Sequence, residues 1–313
     1  MNAVAYPHSY TPAASLPTRP YGFRSALADA LQGALQWRVF LLWIIALAAL
    51  ACLGVGPLSS ALSNVLDHHP DAAQIAHGGS AAQLGDLIGA ISEKHSGAIG
   101  TGIKSAIVMG LLLLPWFAGL ATTAIQPATR APGLCTLFTG AFREYPRQLG
   151  FALWSLVPLL VGFAVFGGVS QMAQKHAEMA TLESSASVAG KMALIAGLIA
   201  VLIAHASVEA GRAFFAARAS ETNPVKAWWR GLKLLVRRPL QTLGLYLLAS
   251  LPGLLVALMI ALVRIRIDGV GTGMWLAAFL VVQLGIAALA WSRVARLRAL
   301  TSLANDEILQ RRY

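Results

Sequence analysis

Between residues 39 and 292 the chain holds six apolar runs of 18 to 24 residues, near 39–56, 106–125, 149–169, 192–211, 240–263 and 274–292. Glu209 is the only formally charged side chain inside them. As helices, runs of this length cross the roughly 30 Å hydrocarbon core of a bilayer. A helix also satisfies its own backbone hydrogen bonds, which lipid cannot do for it. The whole chain is 57% hydrophobic and 12% charged, where a soluble domain carries about 25% charged residues. The expected class is all-α, a polytopic membrane helix bundle. Residues 1–20, with four prolines, read as a disordered cytoplasmic tail rather than a cleaved signal peptide. Residues 21–300 form the six-span membrane domain and 301–313 a cytoplasmic C-terminal tail.

The formal net charge is +11, and its distribution explains it. Eighteen of the 24 Lys and Arg lie on one side of the predicted spans: in the N-terminal flank, the second and fourth connections and the C-terminus. The other side holds Lys94, Lys104, Lys175, Lys191, Arg264 and Arg266. The positive-inside rule therefore puts both termini in the cytoplasm. Topology accounts for the basic character, and no nucleic-acid-binding motif is present, so nucleic acid is not an expected partner.

Three amphipathic stretches precede odd-numbered spans, around Gly33, Gly140 and Gly231. Each ends in a basic breaker or turn: Trp37-Arg38, Tyr145-Pro146-Arg147 and Arg237-Arg238-Pro239. The pattern reads as three repeats of a cytoplasmic amphipathic interfacial helix followed by a transmembrane hairpin. The strongest copy is Asn223–Pro239. Asn223 is a good N-cap, Pro224 suits the first helical position and Pro239 stops the helix. Val225, Trp228, Trp229, Leu232, Leu235 and Val236 fall within an arc of about 120°, beside a narrower arc of Lys226, Arg230, Lys233 and Arg237. A basic, Trp-bearing helix of this kind lies in a membrane surface. Lys226, Trp228, Trp229, Arg230, Lys233, Arg237 and Arg238 are accordingly candidate lipid- or partner-binding residues.

Within the spans, His205 and Glu209 share one face of span 4, with Arg212 three residues further on. Charge at this depth is costly and usually paired. These residues form either a ligand or proton-coupling site or, on the preferred reading, a Glu209–Arg212 pair with His205 bonded to a neighbouring helix. Ala193, Gly197, Ala200, Ala204, Ser207 and Gly211 make a small-residue packing seam on the same span. Between spans 1 and 2, Leu84, Leu87, Ile88 and Ile91 recur at helical spacing and predict a helix on the outer surface. The His/Asp-rich loop 67–95, with Asp67, His68, His69, Asp71, His77 and His95, matches no zinc spacing and reads as solvated. No metal, cofactor or catalytic motif is expected.

Arg-Pro-Leu at 238–240 before Gly-Leu-Tyr-Leu-Leu at 244–248, echoed by Tyr-Pro-Arg at 145–147, resembles a loose group of bacterial six-span integral membrane proteins. Some of these are similar to the membrane portion attached to glycerophosphodiester phosphodiesterases. The resemblance implies a bacterial cytoplasmic (inner) membrane and brings no catalytic residues. The expected function is a non-enzymatic membrane protein that organises lipid or binds a partner through its basic surface helices. Its partners would be anionic inner-leaflet lipids and a membrane protein or second copy of the chain. The alternative is a small-solute or lipid transporter. A reporter fused after Tyr313 that matures only in the cytoplasm is expected to be active; activity of an export-dependent reporter at the same point would reverse the topology.

Overall fold

The computed structural model describes residues 22–67, 69, 72, 75, 80–126, 131–179, 183–218, 220–267 and 272–310, and among these it is helical without strands. The helices are α1 (Phe23–Gly33), α2 (Trp37–Leu66), α3 (Ala81–Ala124), α4 (Leu134–Met179), α5 (Glu183–Ala217), α6 (Pro224–Arg237), α7 (Pro239–Ile265) and α8 (Thr272–Gln310). All but α1 and α6 are long and apolar enough to cross a membrane. They pack as three hairpins, α2/α3, α4/α5 and α7/α8. The last helix, α8, also packs against α1, α2, α3, α5 and α6.

Local chemistry sets several boundaries. The Asn223 side chain accepts from the amides of Val225 and Lys226 at 3.0 and 3.1 Å, satisfying donors that the first turn of α6 leaves open. Pro224 follows at the first helical position. At α3, Ser80 and Gln83 form a reciprocal capping box. That helix then runs unbroken to Ala124. The helix expected on the outer surface is therefore an extension of span 2, and α2 likewise continues to Leu66. The two stay zipped beyond the predicted spans because Gly102 admits the Pro57 ring against its backbone.

A second expectation also changes. The breaker at Tyr145-Pro146-Arg147 does not break: α4 runs through both Pro146 and Pro158. A proline interrupts a helix by losing one amide donor, and packing against neighbouring helices can absorb that loss. The turn expected at Trp37-Arg38 falls just before them, at residues 34–36, and Trp37 and Arg38 open α2; Arg238 separates α6 from α7. The N-terminal tail, His68, Asp71 and His77 lie outside the described residues.

Burial is concentrated at one end of the bundle. Most buried residues belong to 26–43, 116–124, 137–158, 206–215, 227–235, 242–253 and 288–307. This is the end where α2 and α7 begin, α3 and α5 finish and α8 continues past its span. It also carries most of the arginines, and we call it the basic end. Towards the other end, leucines, isoleucines and valines such as Leu111, Leu160, Ile195 and Leu258 stand exposed. Along their length the hairpins are also held by small residues: Gly54 faces Ala106, Gly162 faces Ala204 and Gly253 faces Ser292.

At the basic end the closest approach is Gly231 of α6 on Gly211 of α5. A methyl group on Gly231 would lie within 2.6 Å of backbone atoms of Ala210 and Gly211. Gly140 similarly meets Thr123 of α3, and Gly33 meets the Arg298 side chain of α8. Gly231→Ala is expected to cost about 3 kcal/mol, because backbone rather than a flexible side chain must move. Gly168→Ala, at a helical position with no neighbour within 4 Å, should be neutral or slightly stabilising. Thermal unfolding of the two variants in one detergent checks this; equal midpoints would refute it.

Candidate functional site

Two groupings at the basic end bring the sequence-named residues together: the surface of α6 and a polar network behind it. On α6, Ala227, Gly231, Leu234 and Leu235 are buried, and Trp228 packs partly against Phe151, Val208 and Phe215. The six-residue apolar arc drawn from the sequence is thus split. Leu235 and Trp228 turn into the protein, where the Trp228 Nε1–H donates to Ser207 Oγ at 3.2 Å. Val225, Trp229 and Val236 stay exposed. The small side chains at 227 and 231 decide this, because they alone let α6 approach α5 so closely.

The cations of α6 divide as well. Lys226, Lys233 and Arg237 are exposed, and Lys233 Nζ lies 5.6 Å from the Trp229 ring centre. Arg230 is paired with Glu221. Arg237 reaches Glu307 Oε1 of α8 at 3.2 Å, and Arg238 reaches the other oxygen at 3.6 Å and also donates to Gln310. Sequence reading missed Glu221 and Glu307 as partners. The only local signal was that both acids are flanked by polar chain outside the spans.

Behind α6, Glu209 of α5 has a side chain only 3% exposed. Its Oε1 accepts from Arg212 Nη1 at 2.7 Å and its Oε2 from Arg296 Nε of α8 at 3.2 Å. Arg296 Nη1 also donates to Ser250 Oγ of α7 at 3.0 Å, and its guanidinium sits 5.3 Å from the Tyr246 ring centre. The Tyr246 hydroxyl and His205 Nδ1 are 2.8 Å apart. His205, Glu209 and Arg212 are therefore brought together, and the neighbouring helices supply Tyr246, Ser250 and Arg296. Arg296 could have been sought from the sequence: a lone buried carboxylate among arginines needs charge partners beyond its own helix. Among the described residues no group of three or more His, Cys, Asp and Glu is placed to hold a metal ion.

Three further arginine contacts join the start of each hairpin to the chain leaving it. Arg38 donates to the carbonyls of Ala131 and Pro132 at 3.2 and 3.1 Å. Arg147 donates to those of Phe215 at 2.7 Å, Arg218 at 3.2 Å and Glu221 at 3.1 Å. Arg238 contacts Glu307 and Gln310, as above. Arg147 thereby occupies the open carbonyls at the end of α5.

No known family model matches the chain, and no curated protein or solved structure is significantly similar to it. The network permits a direct test of its own role. Glu209→Gln leaves Arg212 and Arg296 facing each other without a carboxylate and is expected to lower stability by about 3–5 kcal/mol. His205→Phe removes one hydrogen bond and should cost only about 1 kcal/mol. Unfolding of both variants by denaturant in mixed micelles measures the difference; a mild Glu209→Gln would remove the network's structural importance.

Proposed function

We propose that the protein is a non-enzymatic, multi-pass protein of a bacterial cytoplasmic membrane that gathers anionic lipid at the inner leaflet. In this reading the basic end and both termini face the cytoplasm, as positive-inside counting expects. The observation that carries it is the division of α6 into three sectors. One sector, Ala227, Gly231 and Leu234, is buried on the protein. The second, Val225, Trp229 and Val236, is apolar and exposed. The third carries exposed Lys226, Lys233 and Arg237. A helix fixed to its own protein on one side, with an apolar strip next to a cationic strip, suits the headgroup boundary of an anionic leaflet.

The same reading takes the chain as three units of interfacial helix plus hairpin. Its support is the recurrence of two contacts. Arg38, Arg147 and Arg238 each clasp the exit of their own hairpin. Gly140 and Gly231 each pack on the closing helix of the preceding unit, and Gly33 packs on that of the last, so the units close a ring. Under this arrangement the α1 and early α4 stretches are paler versions of α6, with Phe138 and Phe142 exposed where α6 shows Trp229.

The transporter alternative draws on the His205–Tyr246 and Glu209–Arg296 contacts inside the bundle. It is the weaker reading, because those groups already bond one another. Lys226 and Lys233 carry no ion pair among the described residues, so they allow a clean test. Near an anionic leaflet each contributes about 1 kcal/mol. Lys226→Gln with Lys233→Gln removes about 2 kcal/mol and is expected to weaken retention of anionic lipid by the folded protein about thirtyfold. Native mass spectrometry reads this directly, and unchanged lipid would sink the proposal.

A further inference from the structure

A groove of about 420 Å³ lies between α2, α3 and the first turns of α4. It is lined by Ile45 and Ala49 of α2, Met109 and the buried Trp116 of α3, and Phe138 and Phe142 of α4. The three aromatic rings pack edge to face or tilted, with centres 6.0 Å (Trp116–Phe138), 6.2 Å (Trp116–Phe142) and 5.0 Å (Phe138–Phe142) apart. The Tyr145 hydroxyl ties α4 across to the Leu112 carbonyl at 3.0 Å. The wall is almost entirely apolar, and it opens onto the exposed strip that includes Ile45 and Leu112, 56% and 49% exposed.

Arg38, Leu42, Ile45 and Ala49 follow one another at four-, three- and four-residue steps, so Arg38 continues the groove's own stripe one turn towards the basic end. Its Nη1 is used on Ala131 and Pro132. Its Nε and Nη2 carry no hydrogen bond among the described residues. That leaves an edge of the guanidinium for a phosphate. Trp37 beside it is 61% exposed, the position of an interfacial anchor.

We infer that this groove holds an acyl chain of one anionic phospholipid, with the lipid phosphate at Arg38. An extended polypeptide is a poor occupant, because its backbone polar groups would find almost no partners on such a wall. Free phosphate would use Arg38 and leave the apolar groove empty. A phospholipid uses both, with its two chemistries in the order in which Arg38 and the groove lie along α2. The inference rests on the proposed placement of the basic end at the inner leaflet, but not on lipid capture by α6. It concerns one ordered lipid on the α2–α4 side, whereas α6 would gather lipid diffusely.

The test uses the full chain in phosphatidylcholine bilayers containing phosphatidylglycerol with a photoactivatable group near the acyl terminus. Cross-linked peptides are mapped on the unaltered protein first. Labelling concentrated on 42–49, 109–116 and 138–142 is expected, competed by unlabelled phosphatidylglycerol and much less by phosphatidylcholine. Label spread evenly over the lipid-facing surface would overturn the site, as would equal competition by the two lipids for its headgroup part. Ala49→Phe fills the groove and should lower labelling there about tenfold; undiminished labelling would also overturn it. Lys226→Gln with Lys233→Gln should leave the groove label intact. If that pair changes nothing anywhere while the groove still labels, the α6 proposal fails and this one stands.

Discussion

The carboxylate of Glu209 is the one formal charge in the six predicted spans, and the basic end is organised about it. A buried charge must find opposite charge and hydrogen bonds, or its desolvation cost is left unmet. Here Arg212 answers from the next turn, and Arg296 answers from α8, 87 residues away in sequence. Through Arg296 the constraint passes to Ser250 and the Tyr246 ring of α7. Three helices from two hairpins are thus held in one register by a single side chain. Gly211, two residues along from Glu209, then meets Gly231 at the distance that only glycine allows.

The two ends of the bundle follow different rules. At the basic end, polar and ionic contacts accompany a close-packed core of Leu120, Leu137, Leu234, Leu245, Leu297 and Leu300. Away from it, large apolar side chains are exposed, while small residues along each hairpin let its helices close. That combination would be unstable in water, where contiguous exposed apolar surface is a liability. In hydrocarbon it costs nothing, because lipid tails contact such side chains as well as a protein core does. The chain therefore needs tight tertiary packing only where water and headgroups compete for its polar groups.

The surface chemistry of the basic end grows from the same packing. Because α6 spends its small-residue face on α5, Val225, Trp229, Val236 and its lysines are left exposed. Because Arg147 and Arg238 are committed to helix ends and to Glu307, they serve as clasps rather than as ligands. Position in the fold, rather than residue type, separates the bonded Arg147 and Arg238 from the exposed Lys226 and Lys233.

Much of this was legible in the sequence. Six apolar runs require six long helices, because hydrocarbon offers the backbone no other partner. Asn223-Pro224 marks the start of α6, since capping is decided within four residues. His205, Glu209 and Arg212 were placed on one face by helix geometry alone. What local pattern missed was everything requiring a second element. Proline at 146 reads as a breaker, yet α4 runs through it with neighbouring helices packed alongside. The apolar arc of α6 reads as one surface, yet Leu235 and Trp228 went inward and Trp229 outward, because Gly231 and Ala227 permit a closer approach than any larger residue. The sequence indicates that Glu209 needs a charge partner from another helix, but not that Arg296 supplies it, nor that Tyr246 meets His205 or that Glu221 and Glu307 meet arginines of α6 and its C-cap. Solvent and periodicity determine which segments become helices, and they act residue by residue. Which side chains answer a buried charge is settled only when distant helices are brought within hydrogen-bonding distance.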